Sequence, residues 1–325
     1  MFSIIIPVKR INDYIREALN WYYKLDKEAD YEILIFPDTV SEDELKEIAC
    51  HPVGEKVRVI PSGEVGPAIK RDMCMEHAKG DYYAFIDDDA YPEHDWLTNA
   101  LKWFEDESVG AVGGPAVTAH NDDVWQRASG KVFESYLCSA GYVYRYLPKP
   151  MREVDDLPSV NLIVRKDVFD YVGGYDSDFY PGEDTKLCLD IIQKAGKRII
   201  YAPEVLVYHH RRRLFKGHLK QATNYAKHRG YFAKVLPETS RKFSYFIPSL
   251  FVLGLILGPI VCVFIPILWC LYWGIILLYS VLVIASIRGT KSVAEWGLTF
   301  LGIVATHIGY GVNFIRGLLS KELIR

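Results

Sequence analysis

Three places in this 325-residue chain gather side chains able to do chemistry. Asp87, Asp88 and Asp89 close the apolar run Tyr82-Tyr83-Ala84-Phe85-Ile86. Adjacent carboxylates repel, and loss of water sharpens the repulsion, so the triplet calls for a positive partner. A divalent cation shared with a diphosphate answers that need, because Mg2+ and Mn2+ prefer hard oxygen ligands and often share them with phosphates. Such a cation neutralises charge as it develops on a leaving diphosphate. A solvated turn is the plainer alternative. The second place is Gly182-Glu183-Asp184, ahead of a helical run with Leu187, Leu189, Ile191 and Ile192. Acids in a first helical turn complement the helix dipole; read chemically, Asp184 is a general base that takes the proton of an attacking hydroxyl. The third is His209-His210, at the end of "EVLVY". One imidazole completes a metal site, or both belong to the basic stretch that follows.

The elements around these residues alternate. Buried-looking strands at Phe2–Ile6, Tyr31–Phe36, Lys56–Ile60 and Asp81–Ile86 are separated by helical patterns at Asn12–Leu25, Ser41–Ala49 and Gly66–Ala78. This order implies an α/β fold, a mostly parallel sheet flanked by helices. Ligands in such sheets bind beyond the carboxyl ends of the strands, where Asp87–Asp89 lie. A dehydrogenase is excluded, because Pro7-Val8-Lys9-Arg10 follows the first strand in place of a glycine-rich turn. No phosphate-loop pattern is present either.

The formal net charge of -3 gives no sign of a nucleic-acid partner. Its distribution is more telling. Residues 205–245 hold ten Lys or Arg and one acid, Glu238, and the 45 residues from Phe243 to Ile287 hold no charge. About 20 apolar residues cross a bilayer core, so the run suffices for two spans, about 246–265 and 267–287, with Pro266 as the turn. A third stretch, about 294–318, spans or lies along the interface. Apolar Phe215, Leu219, Ala222, Tyr225, Phe232 and Leu236 recur at helical spacing opposite Lys220, Lys227 and Lys234, the pattern of an interfacial helix. The chain thus divides into a catalytic domain over 1–212, an interfacial helix region over 213–242 and a transmembrane region over 243–325. Met1 leads straight into a strand without a signal-peptide pattern, so the catalytic domain is expected on the cytoplasmic side of a plasma membrane. The six cysteines show no paired metal spacing and read as reduced. Oligomeric state is left open.

Taken together, "FSIIIPVKR", Asp38 after "EILIFP", "GPAIKRDMCMEHAKGDYYAFIDDDA", "SVNLIVRKDVFDYVGGYDSDFYPGEDTKL" and "YHH" resemble the family-2 glycosyltransferases, which have the GT-A nucleotide-sugar-binding fold. The resemblance covers roughly Phe2 to Tyr225. It implies nucleobase and ribose contacts at Pro7 and Asp38, and an approach to the donor's diphosphate by Lys70 and Arg71. It implies an Asp-X-Asp motif at Asp87, Asp88 and Asp89. Asp87 and Asp88 face the donor; Asp87, Asp89 and His209 hold Mn2+ or Mg2+. Asp184 becomes the base, with Glu183 orienting the acceptor or its loop, and Asn161, Gln221 and Tyr225 lie on the acceptor side. "TVSED" after Asp38 departs from the family pattern. In "QATNY", Asn224 and Tyr225 replace the arginine and tryptophan of cellulose-synthase-like relatives, which argues against long processive synthesis. A base suits a hydroxyl acceptor, such as a sugar on a lipid-linked glycan. The alternatives are a polyprenyl-phosphate glycosyltransferase of the dolichyl-phosphate mannose synthase kind and a catalytically silent nucleotide-sugar-binding membrane module.

Overall fold

The computed structural model describes residues 1–176 and 179–323. Ser177 and Asp178, directly after Gly-Gly-Tyr-Asp, and Ile324 and Arg325, at the end of the expected transmembrane region, lie outside them. The chain divides into two compact units, residues 1–120 with 147–210 and residues 121–146 with 211–325. The sequence had placed 121–146 in the catalytic domain; here that segment groups with the C-terminal helices.

The first unit is built on strands β1 (Phe2–Pro7), β2 (Tyr31–Phe36), β3 (Val57–Val59), β4 (Tyr82–Phe85), β5 (Ala90–Pro92), β6 (Val109–Gly113), β7 (Ala116–Thr118), β8 (Arg152–Val154), β9 (Leu162–Arg165), β10 (Arg198–Tyr201) and β11 (Val207–His209). Eight of them form one sheet in the order β3-β2-β1-β4-β9-β6-β10-β8. β1 and β2 are buried at every position, as strands covered on both faces must be. They run parallel with Ile5 opposite Leu34, and β4 lies on the other side of β1 with Phe85 opposite Ile5. β2 and β3, and farther along β6 and β10, also pair parallel, in keeping with a mostly parallel sheet. β9 pairs antiparallel with both β4 and β6, so the sheet is mixed. A small second sheet places β11 between β5 and β7.

Five α-helices lie between β1 and β6. α1 (Asp13–Tyr22) starts at Asn12, whose side chain accepts from Ile15 N–H, and α2 (Glu42–Ala49) starts in a capping box of Ser41 and Glu44. α3 (Pro67–Asp72) and the single turn α4 (Cys74–His77) precede β4, and α5 (Trp96–Trp103) follows β5.

In the second unit, α6 (Val124–Glu134) and the turn α7 (Tyr136–Ser139) precede the remainder of the first unit, with its helices α8 (Lys166–Val172) and α9 (Glu183–Gln193). Then come α10 (Lys216–Val235), the turn α11 (Pro237–Ser240), α12 (Phe243–Phe264), α13 (Leu268–Ser286) and α14 (Val293–Leu319). Among the described residues three helices, α12, α13 and α14, are long and apolar enough to cross a membrane. Pro266 lies in the break between α12 and α13. α10 presents Ala222, Ala226 and Ala233 as a small buried face, whereas Tyr225 of the expected apolar stripe is exposed. That face lets α14 approach closely: a Cβ on Gly317 would sit 1.9 Å from the Lys227 carbonyl oxygen. Two buried polar side chains are paired across helices. His218 lies between Ser129 Oγ at 2.8 Å and Thr306 Oγ1 at 2.9 Å, and Glu295 meets Arg127 at 3.1 Å.

Candidate active site

The site lies at the carboxyl ends of β1, β2 and β4, and three consecutive residues of α3 organise it. Lys70 forms an ion pair with Asp38 beyond β2 and also donates to the Val8 carbonyl beyond β1. Arg71 donates to Asp87 Oδ1 at 2.7 Å and to Glu183 Oε1 at 2.9 Å, with its guanidinium carbon 5.4 Å from the Tyr175 ring centre. Burial works against the Arg71 cation, and Asp87, Tyr175 and Glu183 more than offset it, so its pKa is raised. Asp72 accepts from Tyr175 N–H at 2.7 Å and Asp176 N–H at 3.2 Å, which ties the Gly-Gly-Tyr-Asp loop to the same helix. Gly174 is required there: its φ is +72°, and a Cβ would lie 2.5 Å from Asp72 Oδ1. Desolvation pushes the Asp72 carboxyl up to about 6.

This arrangement corrects several assignments. Lys70 and Arg71, expected to approach the diphosphate, are 3% and 4% exposed and engaged by carboxylates. A buried guanidinium needs such partners, and Asp87, expected on the cation, is one of them. Glu183, 5% exposed, is the other; it also accepts from Gly182 N–H at 3.0 Å. Pro7 is buried and paired with Phe36, which leaves the exposed Lys9 and Arg10 as the accessible residues beyond β1. Asn161, expected on the acceptor side, is 1% exposed. It accepts from Trp96 Nε1 at 2.9 Å and donates to the Val205 carbonyl at 2.8 Å, so it is a satisfied core residue. Gln221 and Tyr225 lie on α10 in the second unit.

The other expected residues sit at accessible edges. Asp184 occupies the first turn of α9, half-buried, and its Oδ1 accepts from Thr185 N–H at 2.8 Å. Asp88 accepts from Asn12 Nδ2 at 2.6 Å. Burial, followed by the charge of Asp89, raises the Asp88 carboxyl to about 6. The β5–β11 pairing sets His209 opposite Ala90, and His209 Nε2 lies 3.1 Å from Asp89 Oδ1. His210 turns to Glu17, 3.1 Å away. The structure thus separates the two histidines by partner.

Among the described residues no three His, Cys, Asp or Glu side chains form a ready metal-binding group. Asp89 and His209 nevertheless fit a divalent cation: carboxylate oxygen and imidazole nitrogen are donors Mn2+ accepts, and two protein ligands leave positions for diphosphate oxygens and water. A cation there would also relieve the like-charge repulsion felt by Asp88.

Residues 3–173 match the glycosyl transferase family 2 domain. The chain belongs to that family. Its fold is GT-A-like, with a mixed sheet. A mannosyltransferase from Pyrobaculum calidifontis, in complex with GDP-Man and Mn2+, superposes with a TM-score of 0.63 over 99% of this chain and 88% of that one, at 19% identity, a likeness of fold. The pre-mycofactocin glycosyltransferase of Mycobacterium tuberculosis is 32% identical over 149 residues, 45% of this chain and 30% of that relative. The chain therefore matches less than a third of that relative's length. Two further relatives have a dolichyl-linked sugar phosphate in their names. The dolichyl N-acetyl-alpha-D-glucosaminyl phosphate 3-beta-D-2,3-diacetamido-2,3-dideoxy-beta-D-glucuronosyltransferase of Methanococcus voltae is 24% identical over 70% of this chain and 72% of that one. The glucosyl-dolichyl phosphate glucuronosyltransferase of Haloferax volcanii is 29% identical over 44% of this chain and 47% of that one.

Sequence reasoning missed Asp72, Tyr175, Asn12 and Glu17. Asp72 carried a local signal as the third polar residue of "KRD", Tyr175 stood inside the quoted Gly-Gly-Tyr-Asp string, and Asn12 stood at a helix start.

Proposed function

We propose that this family 2 member is a membrane-anchored, metal-dependent, inverting glycosyltransferase that moves a sugar from a UDP- or GDP-sugar to a hydroxyl of a lipid-linked glycan. One observation carries it: the Arg71 fork joins Asp87, in the acidic strand end, to Glu183, the neighbour of Asp184. A single displacement needs its donor side and its base fixed relative to each other, and a buried bidentate guanidinium fixes them.

Asp184 takes the proton of the attacking hydroxyl, which is a weak nucleophile while it keeps that proton. Asp38, held by Lys70, offers a carboxylate to the nucleoside of the donor. Asp89 and His209 would hold Mn2+ or Mg2+, which supplies neutralising charge for the departing diphosphate. Attack opposite that leaving group inverts the anomeric carbon without a covalent sugar–enzyme intermediate.

The names of the Methanococcus and Haloferax relatives support a sugar-bearing lipid as acceptor. A bare polyprenyl phosphate is already ionised and gives Asp184 no proton to take. The three apolar helices support a membrane anchor, and the ten basic residues of 205–245 support a cytoplasmic catalytic unit at the plasma membrane.

The test uses purified full-length protein, Mn2+, UDP- and GDP-sugars, and either a polyprenyl diphosphate carrying a sugar or bare polyprenyl phosphate. Transfer to the sugar-bearing lipid is expected, and Asp184→Asn should keep nucleotide binding and lose transfer. Full transfer by that variant overturns the base, and a preference for the bare phosphate overturns the acceptor.

A further inference from the structure

Helix α1 touches both the acidic strand end and the histidine pair. Asn12 uses both atoms of its amide: Oδ1 accepts from Ile15 N–H at 2.9 Å, and Nδ2 donates to Asp88 Oδ2 at 2.6 Å. Tyr14 stacks on His210 with ring centres 4.5 Å apart. Glu17 Oε2 lies 3.1 Å from His210 Nε2. Asp88 and His210 are the chain neighbours of Asp89 and His209.

The two segments so held are distant in sequence and meet through the β5–β11 pairing and the bond from His210 N–H to the Asp89 carbonyl at 2.9 Å. Successive side chains of a strand point to opposite faces, so a His210 directed at α1 leaves His209 directed away from it, toward Asp89. Gripping His210 fixes the peptide that carries His209; gripping Asp88 does the same for Asp89. His210 is 5% exposed, and an apolar side chain would fill that space without needing a carboxylate beside it. The polar pairing is therefore more than filling.

We infer that α1 is the outer support of the cation site, with Asn12 and Glu17 as positioning residues that hold Asp89 and His209 at a separation a small divalent cation can bridge. The inference rests on the reading of Asp89 and His209 as the ligands. Partners one step out from metal ligands typically set about 10–100-fold of metal affinity. It also gives the neighbouring histidines different roles: one faces the cation, the other anchors the strand.

The test is Mn2+ binding, read from the electron paramagnetic resonance signal of free Mn2+ titrated into full-length protein in detergent with UDP or GDP. Asn12→Ser keeps an efficient N-cap but is too short to reach Asp88. Glu17→Leu removes the partner of His210, and Glu17→Gln keeps an acceptor for its N–H. Asn12→Ser and Glu17→Leu should each weaken Mn2+ about 10–100-fold, and Glu17→Gln should restore most of the loss with a metal-free unfolding midpoint at the wild-type value. Should Glu17→Leu fail to fold, His210→Phe, which keeps the stack on Tyr14, makes the same comparison. If Asp89→Asn abolishes binding while Asn12→Ser and Glu17→Leu bind like wild type, the support role is wrong and the cation site stands. If wild type binds no Mn2+ with either nucleotide, or Asp89→Asn changes nothing, the cation site fails and the support role with it.

Discussion

Arg71 and Glu183 meet at 2.9 Å across 112 residues of chain, and the same guanidinium takes Asp87 at 2.7 Å. Removing Arg71 would strand the buried Glu183 carboxylate and leave the part-exposed Asp87 without its cation, a loss worth about 3–5 kcal/mol where one partner of a buried pair goes. Arg71→Met should therefore lower the unfolding midpoint sharply. Arg71→Lys keeps the charge but not the fork. It should fold, bind nucleotide and lose most transfer, because Asp184 is no longer held in register with the acidic strand end. Paired thermal unfolding and transfer assays check both variants, and a fully active Arg71→Lys would show that the fork does not position the base.

The Lys70–Asp38 ion pair makes a different prediction. Lys70 is buried and Asp38 partly exposed, so Asp38 is the residue that meets solvent or ligand. Asp38→Asn leaves Lys70 with a neutral acceptor and should raise the donor KM with little change in kcat, as expected for loss of ground-state binding. Donor titration at saturating acceptor distinguishes this from a fall in kcat.

How much of this was legible in sequence depends on the range of the interaction. β1 and β2 were readable because burial on both faces demands an unbroken apolar run, and the starts of α1 and α2 because Asn12 and Ser41 cap them locally. The antiparallel β9 was not readable, since strand direction is decided by a connection that closes far along the chain. Arg71 looked like a diphosphate ligand because its charge is visible in sequence and its carboxylate partners are not. Asn161 failed for the same reason, its amide being consumed by Trp96 and Val205. His209 and His210 are equivalent on paper; only the pairing of β11 with β5 assigns them different neighbours.

The close approach of α10 and α14 also predicts a contrast within one helix. A Cβ on Gly317 would meet the Lys227 carbonyl at 1.9 Å, whereas one on Gly297 meets nothing within 4 Å. Gly317→Val must push the helices apart and should cost about 1–3 kcal/mol or more. Gly297→Ala should be neutral or stabilising by up to about 1 kcal/mol through helix propensity. Unfolding in detergent compares the two directly.

His218 gives the second unit a defined response to acid. Burial, with a smaller contribution from Arg211, lowers its pKa from 6.5 to about 4. As pH falls through about 6.5 the unfolded chain takes up a proton on this ring, while the folded chain refuses it until about 4. The stability due to the neutral, buried imidazole is thus complete above pH 6.5 and lost between 6.5 and 4, about 3 kcal/mol in all. Ser129 and Thr306, its partners on α6 and α14, tie that loss to the three-helix contact. His218→Gln abolishes the titration, so its unfolding midpoint should fall less steeply than that of wild type across this window. Parallel slopes for the two proteins would mean that His218 is already free to protonate in the folded state.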